Sequence, residues 1–227
     1  MKYIFLFMSI LFLFSCKEEE NFSEPFYVAE NGVTIKARDW VTAGTTGVLN
    51  GINYIAIDDI LISISDFKSR YPEITELKQL VTTLVTDMTN YSGGYLLFWQ
   101  FDDFKSIETW DVSNVTSMAG LFNTCNCFNP EYGNVENMPD LTYWDVSSVT
   151  NMSAMFSHIY GGAMFNQDIS GWNVSNVTNM YRMFMGSNQF NQDLSSWDVS
   201  KVTNCDQFSD WTAKWTLPKP NFPISCN

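Results

Sequence analysis

Four short polar side chains occupy the same place in four similar stretches of the sequence, each between a tryptophan and a valine. They are Asp111, Asp145, Asn173 and Asp198. If the tryptophan and valine point into a core, the residue between them points outward, because side chains alternate along a strand. Adjacent strands lie about 4.8 Å apart, so this row could bind a cation or the hydroxyl groups of a ligand. The alternative, which we favour, is that these residues merely keep the face hydrated.

The residue directly before each tryptophan would lie on the same face. Here the sequence has Thr109, Tyr143, Gly171 and Ser196, of which only Tyr143 is aromatic and could anchor a ligand. The candidate binding face therefore comprises Thr109, Asp111, Tyr143, Asp145, Asn173 and Asp198.

The other reactive residues form no catalytic or metal-binding pattern. His158 is the only histidine and lies in a loop sequence, SHIYGG, which favours a surface position over a catalytic base. Asp102 and Asp103 fit a solvated turn better than a glycosidase pair. Cys125, Cys127 and His158 lack the ligand number and spacing of a structural zinc site. We expect no enzymatic activity, no cofactor and no metal.

The stretches that carry the polar row are repeats anchored on tryptophan. They begin WDVSNVTSM at Trp110, WDVSSVTNM at Trp144, WNVSNVTNM at Trp172 and WDVSKVTNC at Trp197. A degenerate copy, LVTTLVTDM, precedes them with Leu80 in the tryptophan position. The spacing shortens from 34 residues (110 to 144) to 28 and then 25, and the extra residues fall between the conserved parts, as in solenoid loops.

Each copy is predicted to contain a strand and a short helical segment. Trp172 and Val174 alternate about Asn173, as in a strand. The following apolar residues are spaced three or four apart, as on one face of a helix: Val177, Met180, Met183 and Phe184. A unit of this size cannot bury its own apolar side, so the copies must stack. The predicted fold class is an α/β repeat: a leucine-rich-repeat-like solenoid of short parallel strands and short helical segments, with a small N-terminal β-hairpin module.

The flanking segments are predicted to cover the two ends of this stack. Residues 31–66 form a β module: Asn50-Gly51 between two apolar runs indicates a hairpin, and ILISISDF indicates a third strand. The repeat solenoid occupies residues 67–210, and residues 211–227 form a C-terminal cap.

The cap is predicted to carry a disulfide. Cys125 and Cys127 are two residues apart, where a mutual bridge is strained. Cys205 stands where earlier copies have an inward methionine, and Cys226 is the later cysteine that can reach it. We expect a Cys205–Cys226 bridge, with two free thiols as the alternative. The residues expected to cover the last copy are Trp211, Trp215, Leu217 and Phe222.

The N-terminus predicts export. Lys2 precedes an apolar run that ends at Cys16 and is too short to span a bilayer comfortably. The end of this run, LFSC, resembles the lipobox of bacterial lipoproteins, which implies a signal peptide at residues 1–15 and lipidation of Cys16. The alternatives are an uncleaved anchor or a plain secreted protein. Residues 16–30 are predicted to be a lipidated flexible tether.

The charge of the chain excludes one class of partner. With 25 acidic and 12 basic residues, the net charge is −13. Nucleic acid and anionic lipid head groups would repel such a chain. We therefore expect no nucleic-acid binding and contact with the membrane through the lipid anchor alone.

The repeats, with FNQDIS and FNQDLS between them, resemble the leucine-rich-repeat surface lipoproteins of the Bacteroides surface protein A (BspA) type. They are also similar to a repeat of mycoplasma surface lipoproteins. The resemblance implies surface display, with adhesion or binding rather than catalysis. The stretch CKEE resembles a Bacteroidetes surface-export signal, which implies a lipid anchor on the bacterial outer membrane, exposed outside.

We therefore expect a monomer that binds an extracellular protein through the sheet face of the solenoid. The alternatives are a glycan-binding component of a nutrient-uptake system and a structural envelope protein.

If Cys16 is the lipidation site, Cys16→Ser should abolish acylation, because serine has no thiol to acylate. The variant should lose the mass of the acyl chains and leave the detergent phase on phase partitioning, as mass spectrometry and blotting would show. A Cys16→Ser protein with unchanged processing and complete detergent partitioning would contradict lipidation at this residue.

Overall fold

The structure is a computed structural model that describes residues 23–63, 65–90, 105–123, 139–158 and 165–226. The predicted signal peptide and lipidation site Cys16, the acidic pair Asp102 and Asp103, and the cysteines Cys125 and Cys127 lie outside these residues. None of the helices within the described ranges has the length and apolar character needed to cross a bilayer.

The N-terminal β module is built from two antiparallel strand pairs. β1 (Phe26–Val28) pairs with β2 (Ile35–Ala37), and β3 (Thr46–Leu49) pairs with β4 (Ile52–Asp58). The hairpin predicted at Asn50-Gly51 is confirmed. Both turn residues have positive φ, 52° and 79°, which a tight two-residue turn needs and which asparagine and glycine adopt most readily.

Two predictions about this module are wrong. The tether was predicted to run to residue 30, but β1 lies inside that range, because Phe26 is buried and packs edge-on against Tyr54 of the hairpin. ILISISDF is not a strand: residues Leu61–Ser63 form a 3-10 turn. The Asp58 carboxylate accepts two backbone N–H groups directly after β4 and so turns the chain.

The third strand of the hairpin sheet comes from the degenerate repeat. After α1 (Phe67–Arg70) and a 3-10 turn at Leu77–Gln79, the chain enters β5 (Leu80–Leu84), which runs parallel to β4. The hairpin of the β module and the degenerate repeat therefore share one sheet, while β1 and β2 form another. A 3-10 segment at Lys105–Thr109 leads into the first tryptophan copy.

Successive copies are joined by isolated parallel bridges at one equivalent position. The bridges connect Asp87, Ser117, Asn151, Asn179 and Asn204 in order. The threonine directly before each bridge residue donates its backbone N–H to the carbonyl of the preceding copy's threonine at 2.8 Å. Its hydroxyl donates to the same carbonyl at 3.1–3.2 Å. The threonines of this ladder are Thr86, Thr116, Thr150, Thr178 and Thr203.

The local conformation within the copies differs from the prediction. Over residues 110–123, 139–158 and 165–226 the structure assigns turns and single bridges, with neither a strand nor a helix. The predicted alternation is confirmed, since Trp172 and Val174 are buried and Asn173 is exposed. The inter-copy bridge, however, forms five residues beyond Val174, at Asn179. The leucine-rich-repeat-like solenoid stays a prediction.

A left-handed residue interrupts the predicted helical face. Arg182 has φ of 54°, and the equivalent residues Ala154 and Gln207 have 53° and 55°. A right-handed helix cannot continue through such a residue. The turn instead lets Phe184 donate its backbone N–H to the carbonyl of Phe208 in the next copy. The residues predicted to be apolar and buried are buried. Their spacing of three or four arises from successive turns that pack on a neighbouring copy, and not from a helix.

The tryptophans of the copies are buried, as predicted: Trp110, Trp144, Trp172 and Trp197 are 1–5% exposed. Each indole N–H donates to a backbone carbonyl of the preceding copy, three residues before that copy's anchor, at 3.0–3.2 Å. A buried indole needs such an acceptor. Tryptophan thus fills the core of one copy and hydrogen-bonds to the one before it.

The C-terminal segment covers the last copy in part as predicted. The Sγ atoms of Cys205 and Cys226 form a disulfide, consistent with the predicted pairing. Trp215 is buried against Phe184, Phe190 and Phe208, and its indole donates to the Gln192 carbonyl. Phe222 packs on Phe208. Trp211 and Leu217 do not serve as covers, since they are 67% and 43% exposed.

The opposite end of the threonine ladder is closed by a carboxylate. Thr86 has no earlier copy to bond, and its backbone N–H and hydroxyl donate instead to Asp59, both at 2.7 Å. The Asp87 N–H donates to the same carboxylate at 3.0 Å. Partial burial raises the pKa of Asp59, but these hydrogen bonds outweigh that effect and hold the pKa below its ordinary value.

The buried anchor predicts a large cost for Trp172→Ala. The substitution empties a core site and leaves the Leu141 carbonyl without its indole donor, and such truncations cost about 3–5 kcal/mol. Asn173→Ala, on the exposed neighbour, should cost far less. Urea unfolding of the two variants gives the comparison; equal small losses would contradict the burial of Trp172.

The ladder cap predicts a pH-dependent effect of Asp59→Asn. Because the pKa of Asp59 is lowered in the fold, its stabilisation is present above the ordinary aspartate pKa of about 4 and is lost as the pH falls through the folded-state value. Asp59→Asn should cost about 1 kcal/mol at pH 7, because a neutral amide oxygen accepts hydrogen bonds more weakly than a carboxylate and the amide has one acceptor oxygen where the carboxylate has two. The difference from wild type should shrink towards pH 3.

The matched control for Asp59→Asn is Asp39→Asn, at an exposed position of the same module. Asp39→Asn should be near neutral at both pH values. A deficit for Asp59→Asn that is as large at pH 3 as at pH 7 would contradict the capping role of the carboxylate.

Candidate ligand-binding cleft

A cavity of about 480 Å³ lies between the β module and the first two tryptophan copies. The module contributes Tyr27, Glu30, Asn31 and Lys36 among its lining residues; the repeats contribute Trp110, Asp111, Val112, Tyr143 and Asp145. We call this cavity the cleft. Its volume is in the range typical of small-ligand sites.

Strand pairing positions the module's contribution. β1 and β2 are antiparallel, with Tyr27 directly opposite Lys36. Directly paired residues project from the same face of a sheet. Ile35 and Ala37 on either side of Lys36 are buried in the module's own core, so Lys36 extends the other way, toward the repeats.

Asp111 lies at the base of the cleft and is 2% exposed. Its Oδ1 accepts the backbone N–H and the hydroxyl of Ser113, at 3.2 and 2.7 Å. The Lys36 ammonium is 3.4 Å from the same oxygen. Oδ2 is also buried and has no hydrogen-bond partner among the described residues. A buried carboxylate oxygen without a donor is uncommon and calls for an explanation.

The prediction that Asp111 faces outward with its three equivalents is wrong. In the later copies the equivalent residues Asp145, Asn173 and Asp198 are exposed. Asp111 has the same local sequence, but the β module lies over the first tryptophan copy and buries it. The module thus converts one member of a repeated surface row into a buried anion.

The exposed members of the row have a structural role. Oδ1 of Asp145, Asn173 and Asp198 accepts the backbone N–H of the serine two residues later, at 3.1–3.2 Å. These local turns are a common use of Asp and Asn. At Asp198, the hydrogen bonds from the Ser200 side chain and backbone hold the pKa of the carboxyl below its ordinary value.

The six residues predicted as a binding face are therefore divided. Asp111, Tyr143 and Asp145 line the cleft, whereas Asn173 and Asp198 lie on later copies outside it. Thr109 is half-buried, and its hydroxyl donates to the Ser106 carbonyl at 3.1 Å. Of the predicted face, only the residues of the first two tryptophan copies therefore contribute to the cleft.

Tyr143 is the exposed aromatic residue of this face, at 48% exposure. The equivalent positions in the next two copies hold Gly171 and Ser196, both without a large side chain. At Gly171 a Cβ would meet no atom within 4 Å, so the glycine is not required by packing. The difference between Tyr143 and its equivalents gives the cleft end an aromatic surface that the later copies lack.

Sequence reasoning missed the module's side of the cleft, namely Tyr27, Glu30 and Lys36. The alternation in VTIKAR indicated a strand, and Lys36 is a polar residue on it. Nothing in that pattern showed that the strand packs across Asp111, some 75 residues later in the chain. The one available signal was that Lys36 lies opposite Tyr27 on paired strands. This signal could not be used from the sequence, because the pairing of the two strands was not known.

The single histidine of the chain, His158, is not at the surface, contrary to prediction. His158 is 6% exposed, its backbone N–H donates to the Met185 carbonyl, and burial lowers the pKa of its imidazole. In the described part of the chain no three His, Cys, Asp or Glu side chains come together as metal ligands.

The described residues define a repeat protein whose tandem copies bury one another's apolar side chains. Residues 64–135 and 132–218 match the family described as "Mycoplasma protein of unknown function, DUF285". The matches cover more than half of the chain, which therefore belongs to this family. Comparison of the chain with curated proteins and with solved structures gives no match. The family agrees with the predicted similarity to a mycoplasma repeat.

Proposed function

We propose that this chain is a non-catalytic binding protein displayed at the cell surface, and that the cleft is its ligand site. The observation that carries the proposal is Asp111, a buried carboxylate with one oxygen that lacks a donor, at the base of a cavity of about 480 Å³. A ligand group that reaches this oxygen from the cleft, with a small movement of the side chains that cover it, and donates a hydrogen bond would remove this deficit. Tyr143 at the rim supplies an exposed aromatic surface.

The repeats serve as scaffold in this proposal. Their side chains are committed to contacts between copies: the threonine ladder, the indole hydrogen bonds and the buried aromatic rings. The polar residues of the later copies close local turns. In such a stack we expect a ligand site where a non-repeating element contacts the repeats. Here that element is the β module.

The wider setting is also part of the proposal. The repeats are arranged as a short leucine-rich-repeat-like solenoid, related to surface lipoproteins of the Bacteroides surface protein A type. The lipid on Cys16 holds the monomeric chain on the outer membrane with the cleft exposed outside. The lipobox-like LFSC and the acidic stretch after it support this arrangement, and the net charge of −13 keeps the rest of the chain away from anionic head groups.

A second candidate is adhesion to a protein through the whole exposed face. Asp145, Asn173 and Asp198 are exposed at equivalent places in three consecutive copies, and Tyr143 lies beside the first. A flat protein partner could contact all three copies at once. In that case the later copies would matter for binding as much as the cleft does.

Two matched substitutions separate these candidates. Tyr143→Ala removes the aromatic rim of the cleft, and Asp198→Ala changes the row at its far end. Ligands are first found by screening the exported full-length protein, in detergent, against a glycan array and a panel of matrix proteins. Affinity for each ligand is then measured by calorimetry.

We expect Tyr143→Ala to weaken binding at least tenfold, because aromatic anchors carry much of the binding energy at such sites. Asp198→Ala should leave affinity unchanged. Equal losses in both variants would support the protein-binding face instead. A ligand whose affinity neither variant alters would contradict a role for the cleft.

A further inference from the structure

We propose that the cleft binds a neutral saccharide, with Oδ2 of Asp111 accepting one sugar hydroxyl and the Lys36 ammonium donating to another. This inference rests on the proposed function and names the ligand class. The evidence is the charge arrangement around Oδ2 of Asp111, which has no hydrogen-bond partner among the described residues, together with the two tyrosines that line the cleft.

The buried oxygen restricts the ligand to a hydrogen-bond donor. Oδ2 of Asp111 is an acceptor, and no described residue donates to it. An anionic ligand group has no proton to offer there, and it would face Glu30, Asp111 and Asp145, all of which line the cleft. Repulsion from these carboxylates, strongest at the buried Asp111 and weaker at the exposed Glu30 and Asp145, opposes an anionic group there. The candidates are therefore a cationic group and a neutral N–H or O–H.

Lys36 disfavours the cationic group. Its ammonium is 3.4 Å from Oδ1 of the same carboxylate, and it is also 3.4 Å from the Ser113 hydroxyl. A second ammonium on Oδ2 would lie close to Lys36 and would share a carboxylate that Lys36 already neutralises. Neighbouring hydroxyl groups meet both demands, because one donates to Oδ2 and the lone pairs of the other accept from Lys36.

The aromatic residues favour a sugar among hydroxyl-bearing ligands. Tyr143 and Tyr27 both line the cleft, one from the repeats and one from β1. Sugar rings combine hydroxyl edges with apolar C–H faces, so an aromatic wall and a charged base match the two parts of one ring. Small-ligand sites commonly combine aromatic surface with a few placed polar groups.

The test uses the full-length exported protein in detergent and three probe sets. These are neutral oligosaccharides of gluco, galacto, manno and xylo configuration, sialylated or sulfated oligosaccharides, and arginine- or lysine-rich peptides. Binding is measured by glycan array and then by calorimetry. The variants are Asp111→Asn, which replaces the acceptor while keeping its shape, Tyr143→Ala, and the control Asp198→Asn in the equivalent position of the last copy.

We expect a neutral oligosaccharide to bind and Asp111→Asn to weaken it about tenfold or more, the loss typical of a hydrogen bond to a charged group. Tyr143→Ala is at an exposed site, so it tests the cleft even if Asp111→Asn lowers stability. Asp198→Asn should bind as wild type does. This set of results supports the proposal.

Two results would overturn it, and they differ in their consequences. If only charged saccharides or cationic peptides bind, and Tyr143→Ala weakens them while Asp198→Asn does not, the neutral-saccharide assignment is wrong and the ligand-binding cleft stands. If Tyr143→Ala alters the binding of no probe, both the saccharide assignment and the cleft are wrong.

Discussion

In each copy of the repeat, one threonine carbonyl accepts both the backbone N–H and the hydroxyl of the threonine in the next copy. This contact fixes the distance and direction between copies, and other regular contacts follow from it. The indole of each tryptophan reaches a carbonyl of the preceding copy. Extra residues are accepted only away from the ladder, so copies of unequal length still stack. Both ends must be closed, by Asp59 at the start and by Trp215 with the Cys205–Cys226 bridge at the end.

Some of the acidic residues of the chain have a structural role in the same repeat. Carboxylate and amide oxygens recur where the backbone turns, and each accepts the N–H two residues later; Asp145, Asp168, Asp193 and Asp198 are examples. Such turns lower the pKa of Asp168 and Asp193, chiefly through the hydroxyls of Ser170 and Ser195. A row of acidic residues on a repeat protein therefore indicates turns first. A binding role needs an additional feature, which Asp111 has and its equivalents lack.

Asp111 and Asp145 show how one local sequence acquires two roles. Both follow a tryptophan, precede a valine and accept the N–H of a serine two residues on. The β module covers the first and leaves the second exposed. Asp111 is buried beside Lys36, and its Oδ2 is an acceptor without a hydrogen-bond partner among the described residues. Tyr27 and Tyr143 also line the cleft. The site arises where the regular stack meets an irregular element.

The sequence by itself determined what is local or repeated: the hairpin at Asn50-Gly51, the buried tryptophans and the pairing of Cys205 with Cys226. Residue type, spacing and recurrence specify these features directly. Other outcomes depended on contacts between distant segments. The bridge lies at Asn179 and not at Trp172–Val174, because the backbone N–H groups of Thr178 and Met180 donate to the neighbouring copies. Arg182 adopts a left-handed conformation, and its N–H donates to the carbonyl of Asp206 in the next copy. Asp111 is buried because β2, some 75 residues earlier, packs over it. Only the tertiary structure decided these points, because the burial and pairing of a residue depend on the segments that pack against it and not on its local sequence.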